Sequence, residues 1–134
     1  MGCKYKDCTS LTSINIPDGV TTIGEQAFSG CTSLTNIDIP NSVTKIEYQA
    51  FYGCNNLTII KIGTGLTSIR STGLLEHPSI TEVHCYATTV PKSSNDDFKI
   101  NKANAKLYIP KGTYQAYYLS NWGAKFTNII EMEE

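Results

Sequence analysis

Residues able to do chemistry are few in this chain, and their spacing argues against most of the chemistry they suggest. His84 stands beside Cys85, two metal-ligand types in succession. Neighbours in a strand point to opposite faces, so this pair cannot share one ion. His77 follows a regular column of cysteines and could approach Cys54, but two ligands do not make a zinc site. Ser13, His84 and Glu82 are the residue types of a hydrolytic triad, yet Ser13 lies several repeats away from the other two. Asp96-Asp97 sits in a polar stretch and reads as a solvated turn rather than a calcium site. There is no Cys-x-x-Cys pair, phosphate-binding loop, dinucleotide fingerprint or Gly-x-Ser-x-Gly elbow. Asn56-Leu57-Thr58 matches a glycosylation sequon, but Leu57 belongs to the apolar pattern described next. Met1-Gly2-Cys3 hints at acylation, but Lys6 stands where that motif needs Ser or Thr. No catalytic residue, metal site or cofactor is expected.

The elements that would position any site follow from a repeat. Cys8-Thr9-Ser10-Leu11 recurs as Cys31-Thr32-Ser33-Leu34 and as Cys54-Asn55-Asn56-Leu57, 23 residues apart each time. Leu11, Leu34, Leu57 and Ile80 form one column. Ile14, Ile37, Ile60 and Val83 form the next, followed by Ile16, Ile39, Ile62 and Cys85. Val20, Val43 and Leu66, then Ile23, Ile46 and Ile69, then Phe28, Phe51 and Leu74 continue the series. A period in this range marks a leucine-rich-repeat solenoid, whose units bury their apolar side only by stacking. Residues 12–16 alternate polar and apolar and are β-branched, as a strand requires. Pro17-Asp18-Gly19 supplies a turn, and residues 20–23 a second short extended piece. Residues 24–30 are too short for a full helix and read as a helical turn closed by Gly30.

The expected fold is an α/β-type repeat solenoid, a right-handed superhelix. It has one parallel sheet on the concave face, short second strands and helical turns elsewhere, and a C-terminal cap with a short helix. Residues 1–86 carry the repeats: a partial one at 1–7, then 8–30, 31–53, 54–76 and the strand of a fourth at 77–86. Residues 87–134 are the last rung and cap of the same domain. Tyr5-Lys6-Asp7-Cys8 matches the tail of an earlier repeat, so the chain is expected to be cut from a longer array, with Met1-Gly2 an artificial start. Residues 87–105 are polar and read as a long surface excursion. Lys106-Leu107-Tyr108-Ile109-Pro110 suggests a fifth rung. Thr113 is placed as the N-cap of a helix over 114–119 whose Tyr114, Tyr117 and Tyr118 share one face. Trp122, Phe126, Ile129 and Ile130 are expected to close the last rung against water.

A net charge of −1 argues against electrostatic binding of nucleic acid. No stretch approaches the ~18–20 apolar residues of a membrane span, so no direct membrane insertion is expected. Of five cysteines, Cys8, Cys31 and Cys54 are periodic and Cys85 replaces an isoleucine in a core column. They read as small buried hydrophobes. A bridge between Cys31 and Cys54 is the minority alternative.

The unit Cys-x-x-Leu-x-x-Ile-x-Ile-Pro-x-x-Val-x-x-Ile-x-x-x-Ala-Phe-x-Gly resembles the BspA-like class of leucine-rich repeats. It is carried by 8–30 and 31–53, and less closely by 54–76, where Gly63 replaces Pro, Gly73-Leu74 replaces Ala-Phe, and Glu76-His77 replaces Gly-Cys. The conformation of the turn near 70–78 is therefore left open. The segment from Leu107 to Tyr114, with Trp122 and Asn128-Ile129-Ile130-Glu131, is similar to the C-terminal cap of such arrays in gut and oral Bacteroidetes. The resemblance implies a secreted or cell-surface bacterial protein. It also implies adhesion to host matrix or plasma proteins, such as fibronectin and fibrinogen, or to other bacterial surface proteins. It carries no catalytic motif, and a bacterial source discounts the sequon.

If Ile14 and Ile16 face inward, residues 13 and 15 face outward. The outward columns are then Ser13, Asn36, Ile59 and Glu82, and Asn15, Asp38, Lys61 and His84, with Lys106 and Tyr108 continuing them. Asp38 with Lys61, and Glu82 with Lys106, are placed to pair between rungs. The expected partner-binding residues are Asp38, Ile59, Lys61, Glu82, His84 and Tyr108. The leading function is a non-catalytic protein-binding or adhesion module. The alternative is a structural spacer within a larger surface protein. Carbohydrate binding ranks lower, because only Tyr86 and Tyr108 would offer aromatic platforms near this face.

Overall fold

The computed structural model describes residues 10–133. Cys3, Tyr5, Cys8 and the partial first repeat lie outside them. Within the described residues the repeat column becomes a parallel sheet. Its strands are β1 (Ser13–Ile14), β3 (Asn36–Ile39), β5 (Ile59–Ile62), β6 (Glu82–Cys85), β7 (Lys106–Ile109) and β8 (Asn128–Glu131), ordered β1-β3-β5-β6-β7-β8. The register keeps the repeat spacing: Asn36 pairs with Ile59, and Ile59 with Glu82. β1 is shorter than the expected 12–16; among the described residues it pairs with β3 alone. A second parallel pair joins β2 (Thr22–Ile23) to β4 (Lys45–Ile46).

Between sheet and return segments runs one continuous core. Leu34, Leu57, Ile80, Ile60, Val83 and Leu107 are fully buried. Each such side chain contributes about 1.5–3 kcal/mol by leaving water. Phe28 stacks on Phe51 with centroids 5.3 Å apart, so one rung's aromatic rests on the next.

Four expectations need correction. Residues 24–30 are not a helical turn. Ala27, Ser29 and Cys31 donate to Gly24, Gln26 and Phe28, each only three residues back, while Gln26 has φ of 56°. The amides of Gln26, Phe28 and Gly30 bond to Tyr48, Ala50 and Tyr52 of the next rung, so they are not available to a helix.

Residues 87–105 are not a surface excursion but the return path of the fourth rung. Ser68 bridges Lys92 in parallel, and Lys99 N donates to Leu75 O at 2.9 Å. Pro91, Asp97, Phe98 and Ala105 are buried in this stretch. The polar composition is spent on internal bonds: the Asp97 carboxylate accepts from Ser71 N at 2.9 Å and Ser94 N at 2.6 Å.

At the C-terminal end the helix α1 spans Tyr114–Tyr118. Its tyrosines do not share a face. Tyr117 is fully buried and donates to Ala87 O at 2.6 Å, whereas Tyr114 and Tyr118 are exposed and stacked at 5.7 Å. Thr113 does not cap the helix amides; its hydroxyl donates to Pro110 O at 2.6 Å. The Glu131 carboxylate accepts from Tyr114 N at 2.9 Å and Gly112 N at 3.0 Å instead.

The last correction concerns β8, which pairs with β7 as a further rung. Ile129 is half-buried on the core side and Ile130 is exposed. Closure of the core falls to Trp122 and Phe126. Trp122 donates from its indole to Pro91 O at 3.1 Å and meets Phe98 edge to face at 5.4 Å.

Candidate partner-binding face

Strand alternation puts residues 36, 38, 59, 61, 82 and 84 on the outer side of the sheet. Parallel register then brings them into two rows. One row runs Ser13, Asn36, Ile59, Glu82, Lys106, Asn128. The other runs Asp38, Lys61, His84, Tyr108, Ile130. All six expected residues therefore lie on one surface, with rungs about 4.7–4.9 Å apart. Asp38 and Lys61 are exposed, and Ile59, Glu82, His84 and Tyr108 are half-buried. Asn128 and Ile130 extend the rows past the expected set. Their strand carries no copy of the cysteine-leucine signature, so the spacing could not reveal it.

The pairing across this face differs from expectation. Among the described residues, neither Asp38 with Lys61 nor Glu82 with Lys106 forms an ion pair. Glu82 turns along its own strand, and its Oε1 lies 2.9 Å from His84 Nε2. The His84 ring stacks on Tyr108 with centroids 4.4 Å apart and 9° between planes. Glu82, His84 and Tyr108 thus form one ordered cluster. Beside it, Ser13, Asn36, Asp38, Ile59 and Lys61 line a shallow depression of roughly 370 Å³. Tyr86 is 39% exposed and lines a neighbouring depression with Asp38 and Lys61.

Behind the sheet the reactive side chains are committed to structure. Cys31, Cys54 and Cys85 are free and buried. The Cys54 thiol donates to Phe28 O at 3.1 Å, and burial, with Cys31 beside it, pushes its pKa up to about 12. Burial likewise raises the pKa of Cys85, whose sulfur lies 3.2 Å from the Tyr117 hydroxyl. A bridge between Cys31 and Cys54 is not formed. His77 occupies the next position of the cysteine column after Cys54, and its ring is committed to the main chain. Its Nε2 lies 3.2 Å from Phe51 O, one repeat beyond the Phe28 carbonyl that Cys54 uses. The acceptor places a proton on Nε2, and burial lowers the pKa of the ring. Among the described residues no three His, Cys, Asp or Glu side chains gather as a metal site, and no helix is long and apolar enough to cross a membrane.

A parallel-sheet solenoid with a leucine column and a mixed polar outer face is the architecture of a leucine-rich-repeat protein. The chain belongs to the BspA type leucine rich repeat region family, which matches residues 3–119 in six copies. Among the similar solved structures are two bacterial proteins. One is a leucine rich cell surface protein from Faecalibacterium prausnitzii A2-165, at TM-score 0.60 and 23% identity, covering 92% of this chain and 32% of that one. The other is the pneumococcal vaccine antigen PcpA, at TM-score 0.60 and 20% identity, covering 97% of this chain and 38% of that one. At these identities the likeness establishes the fold. The chain spans about a third of the length of either. Comparison with curated protein sequences gave no match.

Proposed function

We propose that this chain is a non-catalytic protein-binding module of a secreted or cell-surface bacterial protein, engaging its partner through the outer face of the sheet. The observation that carries this reading is the ordered cluster of Glu82, His84 and Tyr108 beside Ile59 and Lys61. Such a surface combines an aromatic anchor, an aliphatic side chain and both charge signs, features that give an interface its energy and its orientation. Surface placement draws support from the two structural neighbours, one described as a cell surface protein and the other as a vaccine antigen. The partner class, a host matrix or plasma protein or another bacterial surface protein, follows from the family resemblance. The apolar area on offer is small, so a single copy binds weakly and useful strength comes from several copies or a longer array.

The test compares this chain with an Ile59→Glu, Lys61→Glu double variant. Both are presented at high density to fibronectin, fibrinogen and a panel of bacterial surface proteins. Binding by the parent and loss in the variant is the expected result. Equal binding by both would refute the face assignment, and no binding in any arm would favour the spacer.

A further inference from the structure

Away from the sheet, the return segments of three successive rungs enclose a groove of roughly 400 Å³. Tyr48 and Tyr52 form one wall, and they are 53% and 55% exposed. They stand where the preceding repeat carries Glu25 and Ser29. The floor is the irregular turn of the third repeat. It has the same length as its predecessor but turns early, with left-handed residues at Ser71 and Gly73 in place of Gln49 and Gly53. Gly73 passes directly beneath Tyr52: a Cβ there would meet Tyr52 N at 2.8 Å. With no side chain at 73, the turn packs directly against the Tyr52 main chain. Glu76, Asp96 and Lys99 form the other wall.

We propose that this groove is a saccharide-binding subsite, suited to a neutral or amine-bearing pyranose. Three observations select that class. First, the main chain here is already paired: Gln49 N donates to Ser71 O, Phe51 N to Thr72 O, and Lys99 N to Leu75 O. These bonds already occupy main-chain groups that an added extended peptide would need. Second, Glu76, Asp96 and Asp97 outnumber Lys99, which disfavours phosphate or carboxylate ligands. Asp97 is buried and committed to Ser71 N and Ser94, so the polar side chains left to meet a ligand in the lining are Gln49, Ser71, Glu76, Asp96 and Lys99. Third, a pyranose has apolar C–H faces and a rim of hydroxyls that both donate and accept. The tyrosine rings match the faces, and the carboxylates and ammonium match the rim. Lys99 holds Glu76 only loosely, at 3.9 Å, so a ligand hydroxyl displaces no tight ion pair. Burial raises the pKa of Glu76, with Lys99 opposing, consistent with a carboxyl whose hydration is already thinned.

The experiment is saturation-transfer NMR on the whole chain with glucose, galactose, mannose, N-acetylglucosamine, glucosamine and their disaccharides. The parent should transfer saturation to ring protons of at least one sugar, with Kd on the order of 1 mM. A Tyr48→Ala, Tyr52→Ala double variant should weaken that binding at least ~10-fold, as truncation of aromatic anchors does. Both rings are more than half exposed, so this variant should keep the fold, which circular dichroism checks. Tyr86→Ala, on a separate surface, should bind like the parent, as should the Ile59→Glu, Lys61→Glu variant. Absence of transfer for every sugar, equal transfer in the Tyr48 and Tyr52 variant, or equal loss in Tyr86→Ala would each overturn the proposal. The groove shares no residue with the sheet face, so this outcome and that of the partner screen are independent.

Discussion

Replacing His77 with cysteine should remove a pH dependence from the stability of the chain. His77 is 3% exposed, and burial lowers its pKa from the ordinary 6.5. The unfolded chain therefore binds a proton in a pH range where the folded chain does not, and stability falls with pH there. The contribution of His77 is fully present above about 6.5 and is lost as pH falls from there towards the folded value. Each unit below 6.5 removes at most ~1.4 kcal/mol, so going from pH 7.5 to 5.5 should cost up to about 1.4 kcal/mol. With a urea m-value of about 1–3 kcal/mol/M, the midpoint should drop by at most roughly 0.5–1.4 M. Protonation keeps the Nε2 proton on Phe51 O, so the loss reflects burial of a charge and not a broken bond. Cysteine at this position donates to the same carbonyl as Cys54 does to Phe28, and it stays neutral throughout. Glu76 next door acts in the opposite sense: its raised pKa makes stability grow as pH falls through the folded value. The readout is therefore the difference between parent and His77→Cys in urea titrations at both pH values. If the two chains lose the same stability on acidification, the burial argument for His77 is refuted.

Leu34→Ala should cost about 2–5 kcal/mol, since it empties a fully buried site, while Asn36→Ala on the outer face should cost under ~0.5 kcal/mol. Equal losses in urea would show the strand facing the other way. Cys31, Cys54 and Cys85 should resist alkylation in the folded chain and label fully in urea, as mass spectrometry can follow; fast native labelling of Cys54 contradicts its buried thiol. Gly73→Ala should destabilise by about 2 kcal/mol or more, because φ is 76° and the added Cβ meets Tyr52 N, measured as a lowered melting temperature. Glu131→Ala should cost about 1 kcal/mol and raise amide exchange at Gly112 and Tyr114.

What could be read in advance was whatever repeats. The columns through Leu34, Ile37 and Ile39 placed β3, β5 and β6 and put Asp38, Lys61 and His84 in one row. Where the structure departs, the deciding information is a partner and not a period. Residues 24–30 have the composition of a helical turn, but the next rung takes their amides. Residues 87–105 are polar, and nothing local marks Asp97 as the acceptor that folds them back. Glu82 faces an oppositely charged Lys106 in register, yet a histidine two residues on in the same strand offers a shorter reach. Nothing local marks Tyr48 and Tyr52, because the groove they border depends on a turn displaced from its sequence equivalent.

The threonine ladder along the sheet has a mechanical consequence. Thr35, Thr58 and Thr81 each donate backbone N–H and side-chain hydroxyl to the threonine one repeat earlier, and Lys106 N continues the line to Thr81. These bonds lie between rungs and none spans two. Tension applied at the two ends of the sheet, along its stacking direction, acts on the inter-rung seams in series, so each bears the same load and the weakest parts first. The chain then yields as a zipper does, in small steps of similar force, paying out length while the remaining rungs stay folded. Such an element resists a pull gradually and would let a tether lengthen before it breaks.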